Sequence, residues 1–226
     1  MSFHIKISEK VTQEHLEKIF SSVFRDNYND YGFIVISFER NINSSILRKH
    51  MVDIKKGLSE KCVHKFTKEL DYFWLGRFDQ QNTTKFHRDN APSDSFLMLG
   101  YEPSKIKSKL SFADYHQLIS DKNIPVDKYY ELHNPIFKDG ETLLQPYIQE
   151  IENFNNNTFQ IVLLNNSDLN SNKTFGVLHK AEIIEQDLHQ TRVINSMMLS
   201  LKPLHQSNNI SKQEEINFLE TDFISK

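Results

Sequence analysis

The sequence predicts an α+β fold, mainly β, with helices coming first and packing against an antiparallel sandwich or barrel. Three observations predict it. Two apolar stripes at helical spacing fill the first 72 residues. After Tyr72 the chain changes to short runs rich in β-branched and aromatic residues. Clusters of Asn, Asp, Ser, Gly and Pro separate those runs.

In residues 12–24, Leu16, Ile19, Phe20, Val23 and Phe24 recur at helical spacing behind Thr12, a suitable N-cap. A first strand follows over 31–36, where a glycine announces Phe33-Ile34-Val35-Ile36. Residues 45–72 return to helix, with Leu47, Met51, Ile54, Leu58, Cys62, Phe66 and Leu70 on one stripe. Strands are predicted over 73–78, 85–89, 95–101, 159–164, 175–184 and 192–201, with Asn-rich turns at 153–158 and 165–173. The segment 102–150, broken by Pro103, Pro125, Pro135 and Gly140, follows no regular period. A long irregular insertion of this kind reads as a lid or binding loop, so substrate contacts are expected there and in 26–32. The tail from 211 reads as a helix that covers the barrel or joins a second subunit, and monomer and homodimer both stay open. The whole reads as one domain: residues 1–72 as helical support with the first strand, 73–201 as the core, and 202–226 as the tail.

Composition narrows the partners. With 226 residues, a formal net charge of -3 and scattered Lys and Arg, nucleic acid is not the expected partner. The first nine residues carry charges where a signal peptide needs an apolar run, and no stretch approaches the roughly 20 apolar residues of a membrane span. A cytoplasmic, membrane-free protein is expected. The single cysteine, Cys62, cannot form an internal disulfide and reads as a packing residue.

The chemistry concentrates at His87-Arg88-Asp89. On a strand, residues two apart point the same way, so His87 and Asp89 can meet one ion. A second imidazole, His179, ends the apolar run Phe175-Gly176-Val177-Leu178, and two His with one carboxylate make the facial triad of non-haem iron sites. His116, His133, His189 and His205 compete for the third place. His179 is preferred for its strand-like setting, with His133 next. A protein-kinase catalytic loop fails on its neighbours, since Asp94 stands where that motif needs Asn and no glycine-rich phosphate loop is present. His15-Leu16-Glu17 has the same spacing in a helix, where residues two apart diverge.

Gly32-Phe33-Ile34-Val35-Ile36, the pair His87 and Asp89, the distal His179 and the following Arg192 together resemble the Fe(II)/2-oxoglutarate-dependent oxygenases over about 31–201. The resemblance implies a double-stranded β-helix, the jelly-roll or cupin-like barrel, flanked by the N-terminal helices. It implies that His87, Asp89 and His179 hold Fe(II) and that Arg192 takes the distal carboxylate of 2-oxoglutarate, a bidentate task that suits a guanidinium. O2 would be the co-oxidant, with succinate and CO2 released. Asp89 as a carboxylate ligand implies hydroxylation, of a small molecule or an amino-acid side chain, rather than halogenation. Many members place a serine two residues after the arginine. Here Ile194 stands there and Ser196 comes two positions later, with Thr84 and Tyr101 as other sources of a hydroxyl. Two further readings stay open: a cupin-like metal-binding protein or enzyme that does not use 2-oxoglutarate, and an interaction domain in which His87, Asp89 and His179 lie far apart.

Overall fold

Apolar side chains on both faces of the same strands explain the centre of the molecule. The computed structural model describes residues 2–135, 138–151, 154–206 and 210–225. Its strands are β1 (His4–Ile7), β2 (Phe33–Phe38), β3 (Lys68–Asp79), β4 (Ser95–Tyr101), β5 (Ser108–Ala113), β6 (Ile148–Glu150), β7 (Gln160–Asn165), β8 (Leu178–Ile183) and β9 (Val193–Pro203). Its helices are α1 (Gln13–Val23), α2 (Ser44–Phe66), α3 (Tyr115–Lys122), α4 (Val126–Leu132), α5 (Lys138–Leu144) and α6 (Lys212–Glu220). Six strands form one sheet in the order β1-β2-β7-β4-β9-β3, and three form a second in the order β6-β5-β8. In the large sheet β1 runs parallel to β2, and the other pairs are antiparallel.

Because side chains alternate across a strand, β4 sends Phe96 and Met98 to one face and Leu97, Leu99 and Tyr101 to the other. The first face meets Leu16, Ile19 and Val23 of α1, Leu47, Met51, Ile54 and Leu58 of α2, and Phe218 of α6. The second meets Leu110 and Phe112 of β5, so the two sheets face each other across a shared apolar layer. Each such side chain, fully buried, contributes about 1.5–3 kcal/mol. A third cluster, with Phe86, Tyr115, Leu118, Tyr129 and Leu178, joins α3 and α4 to the small sheet.

Several boundaries differ from the sequence reading. α2 stops at Phe66, where Thr67 caps it in the left-handed region (φ 56°), and Leu70 and Tyr72 belong to β3. Residues four apart share a face of a helix and of a strand alike, so the stripe continued through the break. β1, whose charges hid it, pairs along the edge of β2. The 102–150 segment supplies β5, β6 and three short helices, and so contributes two of the three strands of the small sheet rather than an irregular insertion. The tail does form a helix, α6, lying on α2 and β3. Asn153, the first residue of a predicted turn, lies outside the described residues. Among the described residues no helix is long and apolar enough to cross a membrane.

His116 is 5% exposed, its Nε2 has no hydrogen-bond partner among the described residues, and its ring stacks on Phe175 at 5.3 Å. Burial, with Arg25 adding to it and Asp114 and Asp168 opposing, pushes its pKa from the ordinary 6.5 down to about 4. A depressed folded-state pKa means that stability is full above about pH 6.5 and is lost as pH falls toward 4, because the unfolded chain takes up a proton that the folded chain refuses. At pH 5 this loss is about 2 kcal/mol. In urea melts, His116→Gln is expected to show a smaller loss of stability between pH 7 and pH 5 than wild type. An unchanged pH dependence would remove His116 from this role.

Candidate metal centre

The segment carrying His87 and Asp89 is not a regular strand. It is an extended stretch laid along the free edge of β8, joined by an isolated bridge between His87 and His179. His87 N–H donates to the His179 carbonyl at 3.1 Å and His179 N–H to the His87 carbonyl at 2.9 Å. Thr84 N–H donates to the Ala181 carbonyl at 2.9 Å, while the Thr83 and Thr84 hydroxyls accept from Ile183 and Ala181 N–H, each at 3.0 Å. This edge pairing brings the two imidazoles together across the ladder, with ring centroids 4.2 Å apart and ring planes tilted by 44°. Gly176, just before β8, lies so close to the Ser167 backbone that a Cβ would collide with its carbonyl oxygen.

His87, Asp89 and His179 form a group of three donors whose ligand atoms all lie within 4.8 Å of one another. The carboxylate faces both rings at their Nε2 edges, with Asp89 Oδ1 3.4 Å from His87 Nε2 and 3.9 Å from His179 Nε2. Ligands about 2.1 Å from one ion stand at most about 4.2 Å apart, so small side-chain rotations complete a site. His87 Nδ1 donates to the Lys85 carbonyl at 2.7 Å, which in the neutral ring leaves the Nε2 lone pair for a cation.

The electrostatics fit cation binding. Burial pulls the His87 pKa down, but Asp89 and the backbone carbonyls outweigh it and hold the pKa above the ordinary value. For Asp89 burial acts upward and is overcome by the two imidazoles and Arg88, so the carboxyl stays ionised. Burial, aided by His87, brings His179 down to about 4. At neutral pH the centre therefore offers a carboxylate and an unprotonated, largely shielded imidazole.

The three donors open onto a cavity of about 100 Å³ walled by Leu97, Leu99, Leu110, Phe112, Leu164 and Ile194. Its polar lining includes Gln80, Thr84, Tyr101 and Ser196. Ser196 is buried and its Oγ has no partner among the described residues. Arg192 stands behind Gln80 and Tyr101 rather than in the lining. It is 2% exposed, with Nε donating to Ser108 Oγ at 3.2 Å and Nη1 to the Gln80 carbonyl at 3.0 Å. Among the described residues its Nη2 finds no hydrogen-bond partner and no carboxylate pairs with the guanidinium. The Arg192 Cζ lies 5.1 Å from the centroid of the Tyr101 ring. Burial raises the Tyr101 pKa, Arg192 opposes that rise and Asp89 adds to it, so the phenol feels both the cation and the carboxylate.

The structure thus brings together all three predicted donors, and Ser196 lines the same cavity. The competing histidines lie elsewhere: His116 on α3, His133 at the C-cap of α4, and His189 and His205 exposed. The 26–32 segment does not line this cavity. Tyr28, Asp30 and Tyr31 line a separate one of about 290 Å³ that shares only Phe112 with it. Ser108 was missed, since its role as acceptor for Arg192 depends on β5, which the sequence did not disclose.

No family model matches the chain, and no curated protein matches it. Among solved structures, the chain is similar to the crystal structure of AAD-2 in complex with Mn(II) and N-oxalylglycine, with a TM-score of 0.44 and 9% sequence identity over 88% of this chain and 91% of that one.

Proposed function

We propose that this protein is an Fe(II)- and 2-oxoglutarate-dependent oxygenase of the hydroxylase type, acting on a small molecule or an amino-acid side chain. One observation carries the reading: a two-histidine, one-carboxylate cluster shares a cavity with a buried hydroxyl, Ser196, that has no partner among the described residues, while a buried guanidinium, Arg192, with no counter-ion among the described residues, stands behind the wall. A buried cation without an anion is costly, so its retention points to an anionic ligand that completes it. The donor set suits a non-haem iron with open coordination positions. The two facing sheets support a double-stranded β-helix reading of the fold.

When bound, Fe(II) and 2-oxoglutarate would supply, with O2 as the oxidant, oxidative decarboxylation to succinate and CO2, one oxygen atom of O2 going to succinate and the other to the substrate. His87, Asp89 and His179 would hold the metal. Arg192, with Ser196 and Tyr101 on the cavity side, would bind and orient the distal carboxylate. The apolar walls keep water from the reacting atoms and strengthen each polar contact inside.

Thermal melts test this without a substrate. Mn(II) is expected to raise Tm, and 2-oxoglutarate to raise it further only when metal is present. At ligand concentrations near 100 Kd each contributes about 2.7 kcal/mol, or roughly 5–10 °C for a chain of this size. A metal shift that 2-oxoglutarate never extends would contradict the cosubstrate assignment.

A further inference from the structure

We propose that Asn166 is the positioning residue of the metal centre: its side-chain amide grips both backbone groups of Asp89 and so sets where that carboxylate stands. The inference rests on the reading of Asp89 as a metal ligand.

Asp89 lies beyond the bridge that ties His87 to β8, and no ladder holds it. Asn166, immediately after β7 and fully buried, supplies the missing strand partner. Its Oδ1 accepts from Asp89 N–H at 2.9 Å, and its Nδ2 donates to the Asp89 carbonyl at 3.1 Å. The pair fixes the orientation of the amide, because the N–H needs an oxygen and the carbonyl needs an NH2. Aspartate lacks the donor and glutamine is one carbon too long, so asparagine is the residue that fits.

Asn166 is itself immobilised. Its N–H donates to the Ser95 carbonyl at 2.9 Å, and its Nδ2 also reaches Ser95 Oγ at 3.0 Å. Arg88, between the two ligands of the motif, donates from Nε to the Asn166 carbonyl at 3.1 Å and from Nη2 to the Ala91 carbonyl at 2.7 Å. The two metal-facing residues of His87-Arg88-Asp89 are therefore anchored to different sheets, His87 to the small one through β8 and Asp89 to the large one through Asn166. The metal centre spans the seam between the sheets, and the amide keeps one side of it in register. Groups that orient ligands in this way typically change metal affinity 10–100-fold when removed.

The test is Mn(II) affinity of the full chain, read from the EPR signal of free Mn(II), in wild type, Asp89→Ala, Asn166→Ala and the double variant. Asp89→Ala is expected to weaken binding by more than about 100-fold and Asn166→Ala by about 10–100-fold. The double variant is expected to bind no more weakly than Asp89→Ala alone, since positioning matters only while there is a carboxylate to position. Ser95→Ala, which removes a different bond of the same amide, is expected to stay within about threefold of wild type. Wild-type affinity in Asn166→Ala, or an equal loss with and without Asp89, would overturn the proposal. If Asn166→Ala does not fold, Asn166→Asp keeps the acceptor and loses the donor; it is expected to bind more weakly than wild type, and unchanged affinity would overturn the proposal. Equal binding by wild type and Asp89→Ala would instead sink the metal reading on which it rests.

Discussion

Replacing His179 by alanine is expected to weaken Mn(II) or Fe(II) binding by more than about 100-fold, beyond the loss typical of a residue that only orients a ligand. The expectation follows from how the donors are held. His87 and His179 share a backbone bridge, and their side chains face the same carboxylate from two elements. Two donors from one extended edge segment, His87 and Asp89, would remain, without the imidazole from the regular sheet. The apo protein should change much less. The His179 side chain is 13% exposed, its Nδ1 is out of solvent with no partner among the described residues, and burial holds its pKa near 4, so the ring contributes little to folding beyond packing. Metal titration and a urea melt on the same sample separate the two effects. Wild-type affinity in His179→Ala would remove His179 from the ligand set.

Arg192→Met is expected to abolish the response to 2-oxoglutarate while leaving Mn(II) affinity within a few-fold of wild type. Removing one partner of a buried, hydrogen-bonded charge contact costs about 2–5 kcal/mol, or at least roughly thirtyfold in cosubstrate affinity. Arg192→Lys is expected to recover only part of it, because an ammonium is a point charge and cannot present a planar fork. The apo protein is expected to be about as stable with methionine, since the wild-type guanidinium is buried with no counter-ion among the described residues and replacement by an apolar side chain of similar volume relieves that cost. If Arg192→Met unfolds the protein while 2-oxoglutarate has no effect even on wild type, the guanidinium is a structural strut between Gln80 and Ser108.

The clustering of the three donors was legible in the sequence because the His87 and Asp89 pair is local. His87 and Asp89 announce themselves by spacing, and His179 by its place in an apolar run. The reason given for the pair was only partly right, since the two residues sit on an extended edge segment and not in a regular strand. The strands β4, β7 and β9 were legible because burial on both faces makes them near-continuous apolar runs. β5 was not: Ser-Lys-Leu-Ser-Phe-Ala alternates, but it lies among prolines and charges, and only pairing with β8 reveals it. Asn166 was invisible for a related reason. It sits in an Asn-rich stretch that reads as a turn, and its role depends on a contact with a residue 77 positions away.

The central claim is that His87, Asp89 and His179 form an iron site and that 2-oxoglutarate binds in the same cavity, its distal carboxylate directed toward Arg192 behind the Gln80 and Tyr101 wall. Its most direct test is an anaerobic titration of the apo protein with Fe(II) and 2-oxoglutarate, following the weak visible charge-transfer band of the chelate in wild type, His87→Ala and Arg192→Ala. The account predicts a band in wild type, none in His87→Ala and a weakened one in Arg192→Ala. Metal binding without a band in wild type would contradict the cosubstrate site and favour a cupin-like protein that does not use 2-oxoglutarate, and no metal binding at all would contradict the triad itself.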